Sequence, residues 1–426
     1  MANIVRTLRQ RGLLQDLTDP ELEKYCEERS YTVYVGFDPT ADSLHIGHMV
    51  SIMILKHFQL HGHQPIALVG GGTGMIGDPS GRSDERNLLS PEQLQRNLEG
   101  IRRNLSQFLQ MEGEGAVRVV NNADWLASYG FLEFLRDVGR HFRIGDMLSK
   151  ESVKRRLEAE SGLSYTEFSY MLLQAYDFKH LFEKYGAEIQ AGGSDQWGNI
   201  TAGIELIRRT LGKPSFGITT PLLTNSEGQK MGKSLSGAVW LSADKLSPYE
   251  FYQFWIRQDD RDVEKFLRML TLVPLEEIAA VMEEHAKAPE KRHAQQRLAL
   301  EVTTLAHGRP EAEKARAASE ALFGGQLANK TDAELRELYK EVPSLAIPRA
   351  ELEAGLNTID LLVRAGLVSS KAEGKRLMEQ RGVYLNNSPE PLAAEKRIIA
   401  STDLASESML ILRAGKKKYC LVQFTP

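Results

Sequence analysis

The chain has 426 residues, a net charge of −4, 26% charged side chains and 42% apolar ones. That composition suits a globular protein of about three domains and excludes disordered, collagen-like and disulfide-scaffold classes, and a chain basic throughout, as a nonspecific nucleic-acid coat would be. Two cysteines, Cys26 and Cys420, build neither a disulfide framework nor a thiolate zinc site, no run approaches the ~18 apolar residues of a membrane span, and the first residues lack a signal-peptide core, so a cytoplasmic protein off the membrane is expected.

Thr32–Phe37 reads as a buried strand, Met49–Leu60 as a helix apolar all round and ended by Gly62, and Pro65–Val69 as the next strand. Strand, helix and strand of these lengths predict a parallel α/β sheet, whose ligands bind beyond the carboxyl ends of the strands. The segment Asp38-Pro-Thr40-Ala-Asp-Ser-Leu-His45-Ile-Gly47-His48 joins the first strand to the helix. It puts two imidazoles in a first helical turn, where free N–H groups and the macrodipole favour an anion. Two close histidines out of ten also fit chance. A metal site shared with His57, His61 and His63 is disfavoured, because the two groups fall over three helical turns apart with no thiolate nearby.

Gly72-Thr-Gly-Met-Ile-Gly77 matches the dinucleotide fingerprint, but Asp78-Pro-Ser-Gly81 follows as a turn where the fingerprint needs a helix. A tight loop is the reading, with Asp78 able to meet a cationic group and Arg82 and Arg86 able to meet phosphates. Tyr170, Gln174 and Asp177 share one stripe of a predicted helix among Phe168, Met171, Leu172 and Leu173. Taken alone, that stripe reads as a solvent face. Lys230-Met-Gly-Lys233-Ser234 lies in a polar, glycine-flanked loop, and flexible ammonium groups suit a leaving pyrophosphate.

From Ser247 to about Phe323 the pattern is helical, and Pro343 and Pro348 mark a break. The expected organisation is a parallel-sheet domain (1–225), a helical region carrying the lysine loop (226–340), a linker (341–355) and a small module (356–426). The last module carries a charge of +4 against −8 for the rest, which points to a polyanion. It reads as helix, turn, helix and strand, then a hairpin of Met409–Arg413 and Tyr419–Phe424. Gly366 and Gly382 fit the helix ends, and Ser369-Ser370 fits a cap.

His-Ile-Gly-His at 45–48 with Lys-Met-Gly-Lys-Ser at 230–234 on such a frame resembles the class I aminoacyl-tRNA synthetases. Val33-Tyr34-Val-Gly36-Phe-Asp38-Pro-Thr40, Ser169-Tyr170-Met-Leu-Leu-Gln174-Ala-Tyr-Asp177 and Gly192-Gly193-Ser-Asp195-Gln196-Trp-Gly-Asn199 narrow this to the bacterial-type tyrosyl-tRNA synthetase family, end to end. The resemblance implies a Rossmann-like catalytic domain with a dimer-interface insertion, a helical domain and a small α+β RNA-binding module. L-tyrosine, ATP with Mg²⁺, and tRNA(Tyr) would be its substrates, and a homodimer its assembly.

By resemblance, Tyr34 and Asp177 meet the phenolic hydroxyl, and Asp78, Tyr170 and Gln174 meet the ammonium. Gln196 lies near the carboxylate or α-phosphate. Gly36, Asp38, Gly47, Ser51, Gly193 and Asp195 serve ATP, with His48 alongside. Thr40 and His45 take the γ-phosphate in the transition state, and Arg82, Arg86, Lys230, Lys233 and Ser234 the pyrophosphate. For the RNA, Lys150, Lys154 and Arg155, with Arg156, are set against the acceptor stem or read as an exposed charged helix. Arg364, Lys371, Lys375, Arg376, Lys416, Lys417 and Lys418 are set against phosphates. Gly232 departs from the serine of the general class pattern, and Arg82 stands where lysine is frequent. The alternatives are a tryptophan-activating relative, opposed by the hydroxyl-binding pair, an idle RNA-binding protein on the same fold, and a simple nucleotidyltransferase.

Overall fold

The computed structural model describes residues 3–80, 89–158, 162–234, 237–323, 331–339, 342–388, 390–392, 398–415 and 418–425. They fall into two units, Met1–Arg309 and Pro310–Pro426. No helix among the described residues is long and apolar enough to cross a membrane.

The first unit opens with α1 (Ile4–Gln10), β1 (Asp16–Leu17) and α2 (Leu22–Glu28). Then come β2 (Thr32–Phe37), α3 (Met49–Leu60) and β3 (Gln64–Val69), the strand–helix–strand that the apolar runs predict. α4 (Pro91–Phe108) leads to β4 (Arg118–Asn121), followed by the short helices α5 (Ala123–Leu126), α6 (Phe131–Asp137), α7 (Ile144–Leu148) and α8 (Glu151–Glu158). The long α9 (Tyr165–Tyr185), β5 (Ala187–Gly193), α10 (Trp197–Leu211) and β6 (Phe216–Thr220) complete the sheet. Its order is β1-β6-β5-β2-β3-β4, parallel throughout except for β1. The chain moves outward from β2 to β4, then returns to place β5 on the other side of β2. That reversal is a topological switch point, and crevices open there.

α3 packs against β2, β3 and β5 and is buried nearly all round, which accounts for its lack of a polar face. Tyr34, Ile66 and Leu68 of the strands share a core with Trp125, Phe178, Leu181 and Ile207. A two-stranded ribbon, β7 (Lys233–Ser234) with β8 (Gly237–Ala238), precedes the helices α11 (Pro248–Ile256), α12 (Asp260–Leu270), α13 (Leu275–Lys287) and α14 (His293–His307). The buried guanidinium of Arg11 ties the end of α1 to that of α12 by donating to the carbonyls of Arg268, Thr271 and Val273 at 2.9–3.1 Å, partners that a helix C-terminus otherwise lacks.

α15 (Arg309–Phe323) leads into the second unit, with α16 (Asp332–Leu338), β9 (Ser344–Pro348), α17 (Arg349–Glu353), β10 (Leu356–Asn357), α18 (Thr358–Arg364) and α19 (Lys371–Glu379). β11 (Val383–Leu385), β12 (Ile398–Ile399), β13 (Met409–Ala414) and β14 (Lys418–Thr425) follow. The main sheet runs β11-β13-β14-β9. The stretch 341–355, expected as a linker, is therefore corrected. β9 pairs in parallel with β14, and Ile347 and Leu352 sit in the same core as Leu361, Met378 and Val422. Pro348 is compatible with a strand because β9 lies at the sheet edge, and Pro343 precedes the strand. Ser370 caps α19 by accepting from Glu373 N. Gly366 takes a left-handed φ of 68°, but after α19 the left-handed residue is Arg381 (φ 54°), not the expected Gly382.

His57 and His63, whose purpose the sequence leaves open, are buried core histidines. Burial lowers His63 to about 4 and His57 to about 3, and His63 Nδ1 accepts from Tyr31 N at 3.1 Å. An unfolded histidine titrates near 6.5, so between pH 6.5 and 4 the unfolded chain binds the extra proton and stability falls as pH falls. His63→Gln keeps an acceptor but does not titrate. In urea unfolding it should lose about 2 kcal/mol less than the wild type over that range, and equal losses would remove His63 as a source of acid lability.

Candidate active site

One cleft of about 480 Å³ lies at the carboxyl ends of β2, β3, β5 and β6, beside the switch point. It gathers Tyr34, Gly36, Asp38, Thr40, His45, Gly47, His48, Ser51, Asp78, Tyr170, Gln174, Asp177, Gly193, Asp195, Gln196 and Lys230. Every predicted substrate-site residue whose side chain the structure describes therefore lines a single site. Arg82 and Arg86 lie outside the described residues. Lys233 and Ser234 are described only as backbone of β7.

The stripe on α9 is not a solvent face. Tyr170 and Asp177 are buried, and Gln174 is half-buried. Asp177 Oδ1 accepts from Trp125 Nε1 and Oδ2 from Asn122 Nδ2, both at 2.8 Å. Asn122 also donates to Thr73 Oγ1 at 2.9 Å, and Thr73 Oγ1 donates to Asp38 Oδ1 at 2.9 Å. Tyr170 closes the circuit by donating its hydroxyl to Asp38 Oδ2 at 2.9 Å. Burial pushes the Asp177 carboxyl up to about 7, against the two donors and with the nearby Asp38 adding to the rise. Burial, then Asp177, likewise raises the Tyr34 phenol. The Tyr34 hydroxyl is buried and has no hydrogen-bond partner, and the same holds for Gln190 Oε1, which also lines the cleft. An orphan hydroxyl beside a fully buried carboxylate is the polar end of a pocket shaped for a ligand hydroxyl.

A second network lies across the cleft. Gln196 Nε2 donates to Asp78 Oδ2 at 2.8 Å, and Asp78 Oδ1 accepts from Ser80 N at 2.9 Å. Asn199 Nδ2 donates to Gln174 Oε1 and Gln196 Oε1 at 3.0 and 3.1 Å. The Asp195 carboxyl is raised by burial and by Asp78, while Lys230 pulls it down. That opposition puts Lys230 within electrostatic reach of the acidic floor.

His45 precedes a 3₁₀ turn, Ile46–His48, that runs into α3. Its Nδ1 accepts from Gly47 N, and His48 Nδ1 accepts from His45 N, at 3.1 and 3.2 Å. Both neutral rings then carry their proton on Nε2, as donors. The rings lie 4.0 Å apart. The lysine loop is drawn onto this turn: Ile46 N donates to Val239 O, Val239 N to Gly232 O, and Leu241 N to Leu44 O. Gly232 has φ +142°, and a Cβ there would meet the His45 ring at 3.1 Å. A Cβ on Gly47 would meet His45 at 2.9 Å and Met231 O at 3.1 Å. The departure to glycine at 232 therefore has a backbone reason.

Sequence reasoning missed Thr73, Asn122, Trp125, Gln190 and Asn199. A signal for two of them exists in Asn121-Asn122-Ala-Asp-Trp125, a polar cluster just past a parallel strand. Of the residues set against RNA, Lys150 is half-buried and donates to Thr201 Oγ1, while Lys154 and Arg155 are exposed, Arg155 pairing with Glu151. Arg156 is removed from that group. It is buried and makes two bonds to the buried Glu167 at 2.8 and 3.1 Å. Arg364 pairs with Glu351 and Lys371 with Asp360, while Lys375, Arg376 and Lys418 are exposed. Lys416 and Lys417 lie outside the described residues.

Residues 26–324 match the family described as tRNA synthetases class I (W and Y), and residues 334–422 match the tyrosine–tRNA ligase SYY-like C-terminal domain. The chain is 50% identical over 423 residues to a tyrosine–tRNA ligase of Rhodopirellula baltica, covering 99% of this chain and 96% of that one. It is 49% identical to that of Roseiflexus castenholzii, covering 99% and 100%. Among solved structures it is similar to a C-terminally truncated mitochondrial tyrosyl-tRNA synthetase of Aspergillus nidulans, with TM-score 0.69, 34% identity, and 76% and 95% coverage.

The two donors on Asp177 stabilise its charged form, so removing either should raise the carboxyl further. Carboxyl NMR titration should place Asp177 near 7 in the wild type, and clearly higher in Asn122→Ala and in Trp125→Phe. A wild-type value in the ordinary range near 4 would mean the carboxylate is better solvated than the geometry requires.

Proposed function

The chain belongs to the tyrosine–tRNA ligases of class I, and within that family we propose the following division of work in its cleft. The enzyme uses ATP to activate L-tyrosine as tyrosyl-adenylate and passes the tyrosyl group to tRNA. The observation that carries the residue assignment is the orphan Tyr34 hydroxyl beside the buried Asp177 carboxylate. Tyrosine's hydroxyl accepts from Tyr34, which satisfies the orphan, and donates to Asp177 as a third donor beside Asn122 and Trp125. Phenylalanine leaves the Tyr34 hydroxyl unpaired, at about 1–3 kcal/mol for a buried group, and gives Asp177 no donor beyond Asn122 and Trp125. Tryptophan brings no hydroxyl to the pair.

Asp78, Tyr170 and Gln174 face the ammonium, with Gln196 beside the carboxylate. The ionised carboxylate of tyrosine attacks the α-phosphorus of ATP. An oxygen–phosphorus bond forms, the bond to the β-phosphate oxygen breaks, and pyrophosphate leaves. No side chain serves as nucleophile or base, because the attacking group is already ionised, so positioning and charge stabilisation do the work. Gly36, Asp38, Gly47, Ser51, Gly193 and Asp195 bound the nucleotide, though Asp38 has both oxygens engaged by Thr73 and Tyr170 and acts mainly by holding them. Thr40, His45 and His48 supply donors to the phosphates, joined by Lys230, and Arg82, Arg86, Lys233 and Ser234 complete the grip. Mg²⁺ enters with the ATP phosphates. A ribose hydroxyl at the tRNA 3′ end then attacks the adenylate carbonyl, and AMP leaves. Lys150, Lys154 and Arg155, and Lys375, Arg376 and Lys416–Lys418, contribute positive charge for the RNA, with Arg364 and Lys371 weakened by their ion pairs. A cytoplasmic homodimer is the working form. Phe131, Leu132, Leu135, Ile144 and Leu148 on α6 and α7 are exposed apolar side chains grouped along the chain, and they suit a partner face.

Amino-acid-dependent ATP–pyrophosphate exchange should proceed with tyrosine and not with phenylalanine or tryptophan. Asp177→Ala should raise the KM for tyrosine about tenfold or more with little change for ATP, and Lys230→Ala should lower kcat about 10²-fold. Because the phenol needs an ionised acceptor, the wild-type KM for tyrosine should rise as pH falls through about 7 and be flat above it. Exchange driven by tryptophan would overturn the assignment of the pair. Separately, Phe131→Glu with Leu132→Asp should give a folded monomer by light scattering, whereas an unaltered dimer would place the interface elsewhere.

A further inference from the structure

Trp125 is held at two points one helical turn apart on α9. Its Nε1–H donates to Asp177 Oδ1 at 2.8 Å, and its flat face lies on the His180 imidazole, with ring centroids 4.4 Å apart and planes 14° from parallel. Asp177 and His180 are three residues apart, so they project from the same side of the helix. The indole comes from α5, a four-residue helix too short to orient a large side chain by itself. Turning the indole about its own side-chain torsion would lift the ring from His180 as it swung the N–H away from Asp177, so the two contacts are made or lost together. The Tyr176 ring also neighbours His180, tilted to it with centroids 6.1 Å apart.

His180 Nε2 is buried without a hydrogen-bond partner. Burial, with Lys184 and Lys179 and against Glu183, lowers its pKa, so the ring is neutral and meets the indole by stacking. The ring's flat face is thus what it offers its neighbour. Its polar atom has no evident use.

We propose that His180 is a positioning residue for amino-acid selection, acting through the Trp125 indole to aim the N–H donor that holds the Asp177 carboxylate for the tyrosine hydroxyl. This rests on the reading of Asp177 as the phenol acceptor. His180 itself touches no reacting atom. The class of side chain required at 180 is a flat ring, and volume alone is insufficient.

The test separates plane from volume. His180→Leu fills the space without a flat face, and His180→Phe keeps the face without the nitrogens. In ATP–pyrophosphate exchange, His180→Leu should raise the KM for tyrosine about tenfold, with kcat and the KM for ATP within about twofold, and His180→Phe should stay within about twofold of the wild type. The Trp125 indole resonance, assigned in ¹⁵N-tryptophan-labelled protein by its loss in Trp125→Phe, should shift in His180→Leu and not in His180→Phe. A leucine variant with wild-type tyrosine kinetics overturns the proposal. So does one in which the KM for ATP rises as much as that for tyrosine, or an indole resonance indifferent to residue 180. If the wild type shows no tyrosine-dependent exchange, the activation reading has failed, and the indole resonance alone still decides whether His180 controls Trp125.

Discussion

A carboxylate with no exposure to water sets the terms for the first unit. Asp177 sits at the bottom of the cleft, and a charge there is tolerable only if its oxygens are bonded and its neighbours fixed. The structure meets that need with a closed circuit, Asp177–Asn122–Thr73–Asp38–Tyr170, which leaves α9 and returns to it seven residues earlier. Each member comes from the carboxyl end of a different strand or from α9. The hydrogen-bond directions are consistent round the ring: the Asn122 amide spends one hydrogen on Asp177 and one on Thr73, and Thr73 and Tyr170 spend theirs on Asp38. Removing Asn122, Thr73 or Asp38 breaks two of these bonds, so the sheet ends are locked together by the same bonds that shape the pocket.

The frame was legible because burial writes itself into local composition. β2, α3 and β3 are runs apolar enough to be recognised singly, and their parallel order follows from strand–helix–strand spacing. The site was legible through motif resemblance, and the stripe on α9 shows why residues alone did not suffice. Tyr170, Gln174 and Asp177 have the spacing of a solvent face, and only tertiary placement distinguishes a wet face from a polar cavity. Asn122 and Trp125 were missed for the same reason. Their partner is 52–55 positions away in sequence, and no local period reports that.

The second unit shows the opposite failure. Two prolines and a weak pattern in 341–355 read as a linker, yet an edge strand needs only one bonded side, and β14 supplies it. Charge was over-read in a similar way. A count of basic residues does not reveal which are already neutralised, and Arg156, Arg364 and Lys371 each have a carboxylate partner. Of the basic residues set against RNA, those exposed and without a carboxylate partner are Lys154, Lys375, Arg376 and Lys418 among the described residues.

The cleft carries charge of both signs, which bears on why an activation step here needs no acid or base. Asp38, Asp78, Asp177 and Asp195 line it together with Lys230 and the imidazoles of His45 and His48, and the lysine loop is paired with the 45–48 turn. An amino acid carries its cation and its nucleophilic carboxylate on the same carbon. On the proposed assignment, Asp78 beside the ammonium and Lys230 among the phosphate donors would hold the two ends of the amino acid toward opposite charges. The field that binds one substrate end orients the attack on the other. A cleft of uniform sign would bind one substrate and repel or misdirect its partner. On that reading, the meeting of acids from the strand ends with lysine from the 230–234 loop is part of the chemistry itself.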